Sequence, residues 1–217
     1  STISERLNPR VMLADEVGLG KTIEAGLILK SLILKNRVER SLIIVPDSLV
    51  YQWFFELQNK FNIQAKTMSM DDELGIEAEG LNEGPHYIIS LTRLCTDERL
   101  RNQVIQTDDW DLLIIDEAHQ LKWSQTESSL EYDMASKLAA KIPSCILLSA
   151  TPEMLGKEGH FSRLRLLDPN RFSNFEQFLS ESSEYENYIP TLKKIVAKEH
   201  STIDLDKYFS KEDQSNF

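Results

Sequence analysis

Apolar residues fall along this chain in short unbroken runs separated by stretches with a helical period, an alternation that predicts a parallel sheet crossed by helices. The first run, Val11-Met12-Leu13-Ala14, breaks into Asp15-Glu16-Val17-Gly18-Leu19-Gly20-Lys21-Thr22. Residues 21–36 then read as a helix apolar around most of its girth, with Glu24, Ser31 and Lys35 as its wet stripe. Ser41-Leu42-Ile43-Ile44-Val45 is a second continuous run, stopped by Pro46, and reads as a strand buried on both faces. Asp47 or Ser48 is expected to cap a helix in which Leu49, Trp53 and Leu57 recur at every fourth position. Further strands are expected at Lys66 to Met70 and His86 to Ser90, with the acidic stretch Asp71 to Gly84 between them as loop, followed by one weakly patterned helix through Arg93 to Ile105. Leu112 to Ile115 and Cys145 to Leu148 complete the strands. They flank a helix from about Ser129 to Ile142 that carries Leu130, Met134 and Leu138 on one face and stops before Pro143. Past Pro152 the pattern turns helical, with candidates at Phe161 to Leu167, Asn174 to Ser180 and Tyr188 to Ala197.

The fold class expected is therefore α/β: a parallel β-sheet with helices on both faces over residues 1–152, and a helical C-terminal extension over 153–217. Ligands of such sheets bind beyond the carboxyl ends of the strands. Three polar stretches fall at those ends. In the first, the backbone of Gly18 and Gly20 can approach a phosphate chain, Lys21 can reach its β- and γ-phosphates, and the Thr22 hydroxyl can ligate Mg²⁺. This is a P-loop pattern with Asp15 standing where the first glycine belongs. The second stretch is Asp116-Glu117-Ala118-His119, where Asp116 would hold the Mg²⁺ shell and Glu117 would position or deprotonate the attacking water. Standing alone, the first stretch would also suit an ordinary glycine turn before a helix, and the second an N-cap followed by a first-turn acid. Their pairing on successive strand ends favours nucleotide chemistry. His119 either contacts the γ-phosphate or packs locally. Ser149 and Thr151, in the third stretch, either pass a conformational signal or close a strand with a polar turn.

Composition narrows the field. With 35 acidic and 24 basic residues the net charge is -11, which argues against a surface built as a whole to wrap nucleic acid and leaves room for a local track. Cys95 and Cys145 lack metal spacing and are too few for a disulfide framework, and His86, His119, His160 and His200 show no zinc spacing. No apolar run approaches the roughly 18 residues a membrane span needs. The opening Ser1-Thr2-Ile3-Ser4-Glu5 has neither initiator Met nor leader, and the chain is expected to be cut from a longer protein.

Taken together, Val11 to Leu29, Ile43-Ile44-Val45-Pro46 with Gln52-Trp53, Asp116-Glu117-Ala118-His119 and Ser149-Ala150-Thr151-Pro152 resemble the ordered motifs of superfamily-two helicase-like ATPases. The form Ala14-Asp15-Glu16-Val17-Gly18-Leu19-Gly20-Lys21-Thr22 is similar to the Swi/Snf branch, whose members translocate on double-stranded DNA without separating strands. Ser149 to Gly156 with His160 to Phe172 is most similar to bacterial, RNA polymerase-associated members of that branch. The resemblance implies a RecA-like first lobe that binds ATP and Mg²⁺ through Asp15, Glu16, Gly18, Leu19, Gly20, Lys21, Thr22 and His119. It makes Lys21, Asp116 and Glu117 the catalytic set, with Thr22 and Asp116 on the metal. It also implies nucleic-acid or coupling roles for Gln52, Ser90, Arg93, Ser149 and Thr151, RNA polymerase and duplex DNA as partners, and the bacterial cytoplasm as setting. The branch's second RecA-like lobe, which carries its catalytic arginine, is missing here. The rival readings are a polymerase-docking module with little ATP turnover and another P-loop phosphotransferase.

Overall fold

The computed structural model describes residues 8–14, 20–71, 81, 84–149 and 156–183. Six strands form one sheet in the order β1 (Arg10–Ala14), β6 (Ser144–Ser149), β5 (Leu112–Ile115), β2 (Ser41–Val45), β4 (His86–Ser90) and β3 (Lys66–Met68). All five pairings are parallel, so every strand delivers its carboxyl end to one edge. The continuous apolar runs require this, since β2, β4, β5 and β6 are buried at every position.

Side-chain alternation divides the core into two faces. Ile43, Val45, Ile88, Leu112, Ile114, Ile146 and Leu148 pack against α1 (Lys21–Leu34) and α2 (Val50–Phe61). Leu42, Ile44, Tyr87, Ile89, Leu113, Ile115, Cys145 and Leu147 face α3 (Leu91–Thr96), α4 (Glu98–Gln106), α5 (Leu130–Lys141) and α6 (Gly156–Leu167). The expected sheet with helices on both faces is present. Where α1 meets α2 the contact is close: a Cβ on Gly26 would stand 2.3 Å from the Phe61 ring.

Several local expectations are corrected. The helix expected through Arg93 to Ile105 is two helices, because Asp97 leaves helical geometry and caps α4, its carboxylate accepting the Leu100 N–H at 3.0 Å. Asp47 does not cap α2. A 3₁₀ turn over Asp47–Leu49 precedes that helix, and the Asp47 carboxylate accepts the Met70 N–H at 2.9 Å. On α5, Leu130 is exposed and burial runs through Tyr132, Met134, Ala135, Leu138 and Ala139. On α1 the outer stripe holds Leu27 and Leu34 as well as Glu24 and Lys35, while Ser31 is half-buried.

Arg10 ties the chain's beginning to its later helices. Its guanidinium donates to the carbonyls of Ala139, Ile142 and Pro143 at the end of α5, and of Leu166 and Leu167 at the end of α6, over 2.7 to 3.3 Å. The fixed positive charge sits where both helices present unsatisfied carbonyls and the negative ends of their dipoles. Two compact units are distinguished, Ser1–Ser173 and Asn174–Phe217. In the second, residues 175–183 are helical, and the Asn174 carboxamide accepts the Gln177 N–H at 3.1 Å. The helix expected at Tyr188 to Ala197 lies outside the described residues.

Candidate functional site

Every residue that the sequence marks for nucleotide chemistry and that the structure describes stands at the carboxyl edge of β1, β6 and β5. Gly20 is the N-cap of α1 at φ 84° and ψ 27°, a left-handed conformation that glycine adopts without strain. Lacking a side chain, it offers nothing to the first-turn N–H groups of α1, and Lys21 opens the helix 9% exposed, with Thr22 half-buried beside it. A helix N-terminus of this kind, with a lysine in its first turn, is built for an anion. Asp15, Glu16, Gly18 and Leu19 lie outside the described residues, as does Thr151.

Asp116 extends β5, its N–H donating to the Ile44 carbonyl at 2.9 Å. Alternation carries it to the side of Leu112 and Ile114, toward α1 and α2. There the carboxylate is 6% exposed, and the indole N–H of Trp53, on α2, donates to its Oδ2 at 2.8 Å. Its Oδ1 accepts the Glu117 N–H at 2.8 Å. Glu117 itself is left-handed, at φ 49° and ψ 46°, and begins a 3₁₀ turn over Ala118–Gln120 without lending its side chain as a cap. The N-cap alternative for this acid pair is thereby not realised. Glu117 Oε2 lies 2.9 Å from His119 Nδ1, but the pair is not aligned for a hydrogen bond, and both atoms are buried without one among the described residues.

Ser149 ends β6 opposite Ala14 of β1, fully buried, its hydroxyl without a partner among the described residues. The two segments expected on nucleic acid are neighbours, because β2 and β4 pair in a register that sets Val45 beside Ser90. Ser90 caps α3, accepting the Arg93 N–H at 3.3 Å. The Arg93 guanidinium donates to the Ser69 carbonyl at 2.5 Å, and Gln52 is exposed, bonded to Glu56 at 3.1 Å. Sequence reasoning missed Trp53, read as one of an apolar stripe. The signal was available, since a buried indole N–H needs an acceptor.

A parallel sheet in this order, with a glycine-led helix after its first strand and an Asp-Glu pair on a central strand's end, is the RecA-like core of the helicase-type NTPases. The fold agrees with two solved structures. The Sulfolobus solfataricus SWI2/SNF2 ATPase core in complex with dsDNA superposes with a TM-score of 0.63 at 24% identity, over 78% of this chain and 34% of that one. The Pyrococcus furiosus Hef helicase domain gives 0.56 at 18% identity, over 75% and 35%. The chain belongs to the SNF2-related domain family, which it matches over residues 3–207. Its relatives include the RNA polymerase-associated protein RapA of Pseudomonas fluorescens strain SBW25, 42% identical over 90% of this chain and 21% of that protein. The RapA of Vibrio parahaemolyticus is 46% identical over 84% and 19%. The chain thus spans about a fifth of the length of these curated relatives.

Proposed function

We propose that this chain is the ATP-binding lobe of a bacterial double-stranded DNA translocase that acts with RNA polymerase in transcription, in the cytoplasm. The observation that carries the reading is the burial of Asp116 on the sheet face that also bears the N-terminus of α1. The donor set fits ATP and Mg²⁺: uncapped first-turn N–H groups and Lys21 for phosphate oxygens, with the Thr22 hydroxyl and the Asp116 carboxylate for a hard cation. When bound, Mg²⁺ would neutralise the phosphate oxygens as charge shifts to the leaving group. Gly18, Leu19, Gly20 and Lys21 bind the phosphates, with Asp15 and Glu16 leading into the loop. Glu117 orients and deprotonates water, and His119 contacts the γ-phosphate. Pro46 to Gln52 and Ser90 to Arg93, at the ends of the paired strands β2 and β4, form part of the DNA track, and Ser149 and Thr151 pass a conformational signal between track and site.

An arginine reaching the γ-phosphate is worth about 10³ to 10⁵ in rate for P-loop enzymes. The arginines of β1, α6 and the segment after it do not supply one. Arg10 grips the carbonyls at the opposite edge, Arg165 lies over the Trp123 ring and Arg171 over the Phe172 ring. Arg163 is buried on α6 one turn, about 6 Å, before the end that Arg10 holds. The catalytic arginine therefore comes from a second lobe, and the 217 residues alone hydrolyse ATP at a negligible rate. Titration of this chain with a fluorescent ATP analogue tests the site: Mg²⁺ is expected to tighten binding, and the Mg²⁺-dependent binding is expected to be lost in a folded Lys21→Ala variant. Unchanged affinity in that variant would remove the assignment.

A further inference from the structure

We propose that Trp53 is a positioning residue for the Asp116 carboxylate, holding it through the indole N–H in the one orientation that presents its remaining lone pairs to a divalent cation. The inference rests on the reading of Asp116 as a metal-side carboxylate and adds to it a residue from another helix.

The geometry is specific. Trp53 is fully buried, Asp116 is 6% exposed, and Nε1 to Oδ2 is 2.8 Å. The second oxygen accepts the Glu117 N–H, so the carboxylate is clamped between α2 and its own backbone and cannot turn about its last torsion without breaking one of the two bonds. Both donors are neutral. They fix the group without cancelling its charge, which remains for a cation. A leucine or phenylalanine would fill the same slot between Val50 and Leu57 on the α2 face, so packing alone does not call for an indole here. A carboxylate freed of this bond would be left with an unmatched oxygen in an apolar wall and would swing toward other donors. Partners of this kind, which orient the groups around a metal, typically contribute about 10- to 100-fold in metal affinity.

The test uses the full-length protein and a fluorescent ADP analogue, titrated with Mg²⁺ and separately without metal, in wild type, Trp53→Phe and Asp116→Asn. A further variant replaces the Trp53 indole by benzothiophene, which keeps the bicyclic shape and exchanges the N–H for sulfur. It decides the matter should Trp53→Phe fail to fold. Removing the N–H is expected to raise the Mg²⁺ concentration for half-saturation about tenfold or more, with metal-free binding of the analogue unchanged. An unmoved Mg²⁺ midpoint in both Trp53 variants, while Asp116→Asn shifts it, overturns the role of Trp53 and spares that of Asp116. An equal loss of metal-free and Mg²⁺-dependent binding makes Trp53 a packing residue and also overturns the proposal. If Asp116→Asn itself leaves the midpoint in place, the metal reading fails and takes the proposal with it.

Discussion

Glu117 stands at φ 49°, where a side-chain-bearing residue is strained by about 1 to 3 kcal/mol, and no cap hydrogen bond from its side chain repays that strain. The arrangement turns the chain sharply after β5, so that Asp116 points to α2 while Glu117 meets His119. Strain at an acid assigned to water activation leads to a prediction. Glu117→Gly relieves the left-handed conformation at an entropic cost of about 0.5 to 1 kcal/mol, so the variant should be no less stable than wild type, and more stable by up to about 2.5 kcal/mol, while losing turnover. A clearly destabilised glycine variant would show that the Glu117 side chain supports the fold. The placement of Lys21, Thr22, Asp116 and Glu117 beyond strand ends was legible from the apolar runs that precede them. The left-handed turn at Glu117 and the bond from Trp53 to Asp116 were not, since each depends on where a residue far along the chain, or a backbone angle, comes to rest.

At the level of elements, Arg10 joins β1 to the ends of α5 and α6 through five carbonyls. Hydrogen bonds involving a charged partner are worth about 1.5 to 3 kcal/mol each, and those at the rim are partly replaced by water. Arg10→Met, similar in length and apolar, should therefore lower unfolding stability by about 3 kcal/mol or more, measured by urea denaturation. A loss below about 1 kcal/mol, the usual worth of a surface contact, would mean that the carbonyls are satisfied without it. The sequence pattern located β2, β4, β5 and β6 because strands buried on both faces read as near-continuous apolar runs, and β1, half-buried at the sheet edge, from its apolar run before the glycine loop. It placed α5 and the buried Met134 and Leu138 correctly; Leu130, at the start of the helix, is left in solvent, and the buried face widens to Tyr132, Ala135 and Ala139. The division at Asp97 escaped notice because Arg93 to Ile105 is uniformly polar enough to suit either one helix or two, and only the cap geometry decides between them.

For the molecule as a whole, the buried His86 and the half-buried His160 contribute to the acid limit of stability. His86, bonded through Nδ1 to the Ser41 hydroxyl at 2.9 Å, is held below the ordinary histidine range by burial and then by Lys30. Burial, and then Arg163, does the same to His160. Each is neutral in the fold and takes up a proton more readily once unfolded, so the stability they contribute is complete above about pH 6.5 and is lost as pH falls through that value toward their lowered folded values. Melting curves between pH 8 and 5 should show this loss, reduced in the His86→Gln, His160→Gln double variant; an identical acid slope in that variant would assign the loss to other groups. Sheet and layers were legible at this scale from strand and helix alternation. The central claim, that this lobe supplies Lys21, Asp116 and Glu117 to an ATP site completed by a second lobe, is tested most directly by steady ATP hydrolysis of the full-length protein with and without duplex DNA, in wild type and Glu117→Gln. Turnover that rises with DNA in wild type and is abolished in Glu117→Gln, with nucleotide binding retained, is the result the account predicts. Equal turnover in the two proteins would contradict it.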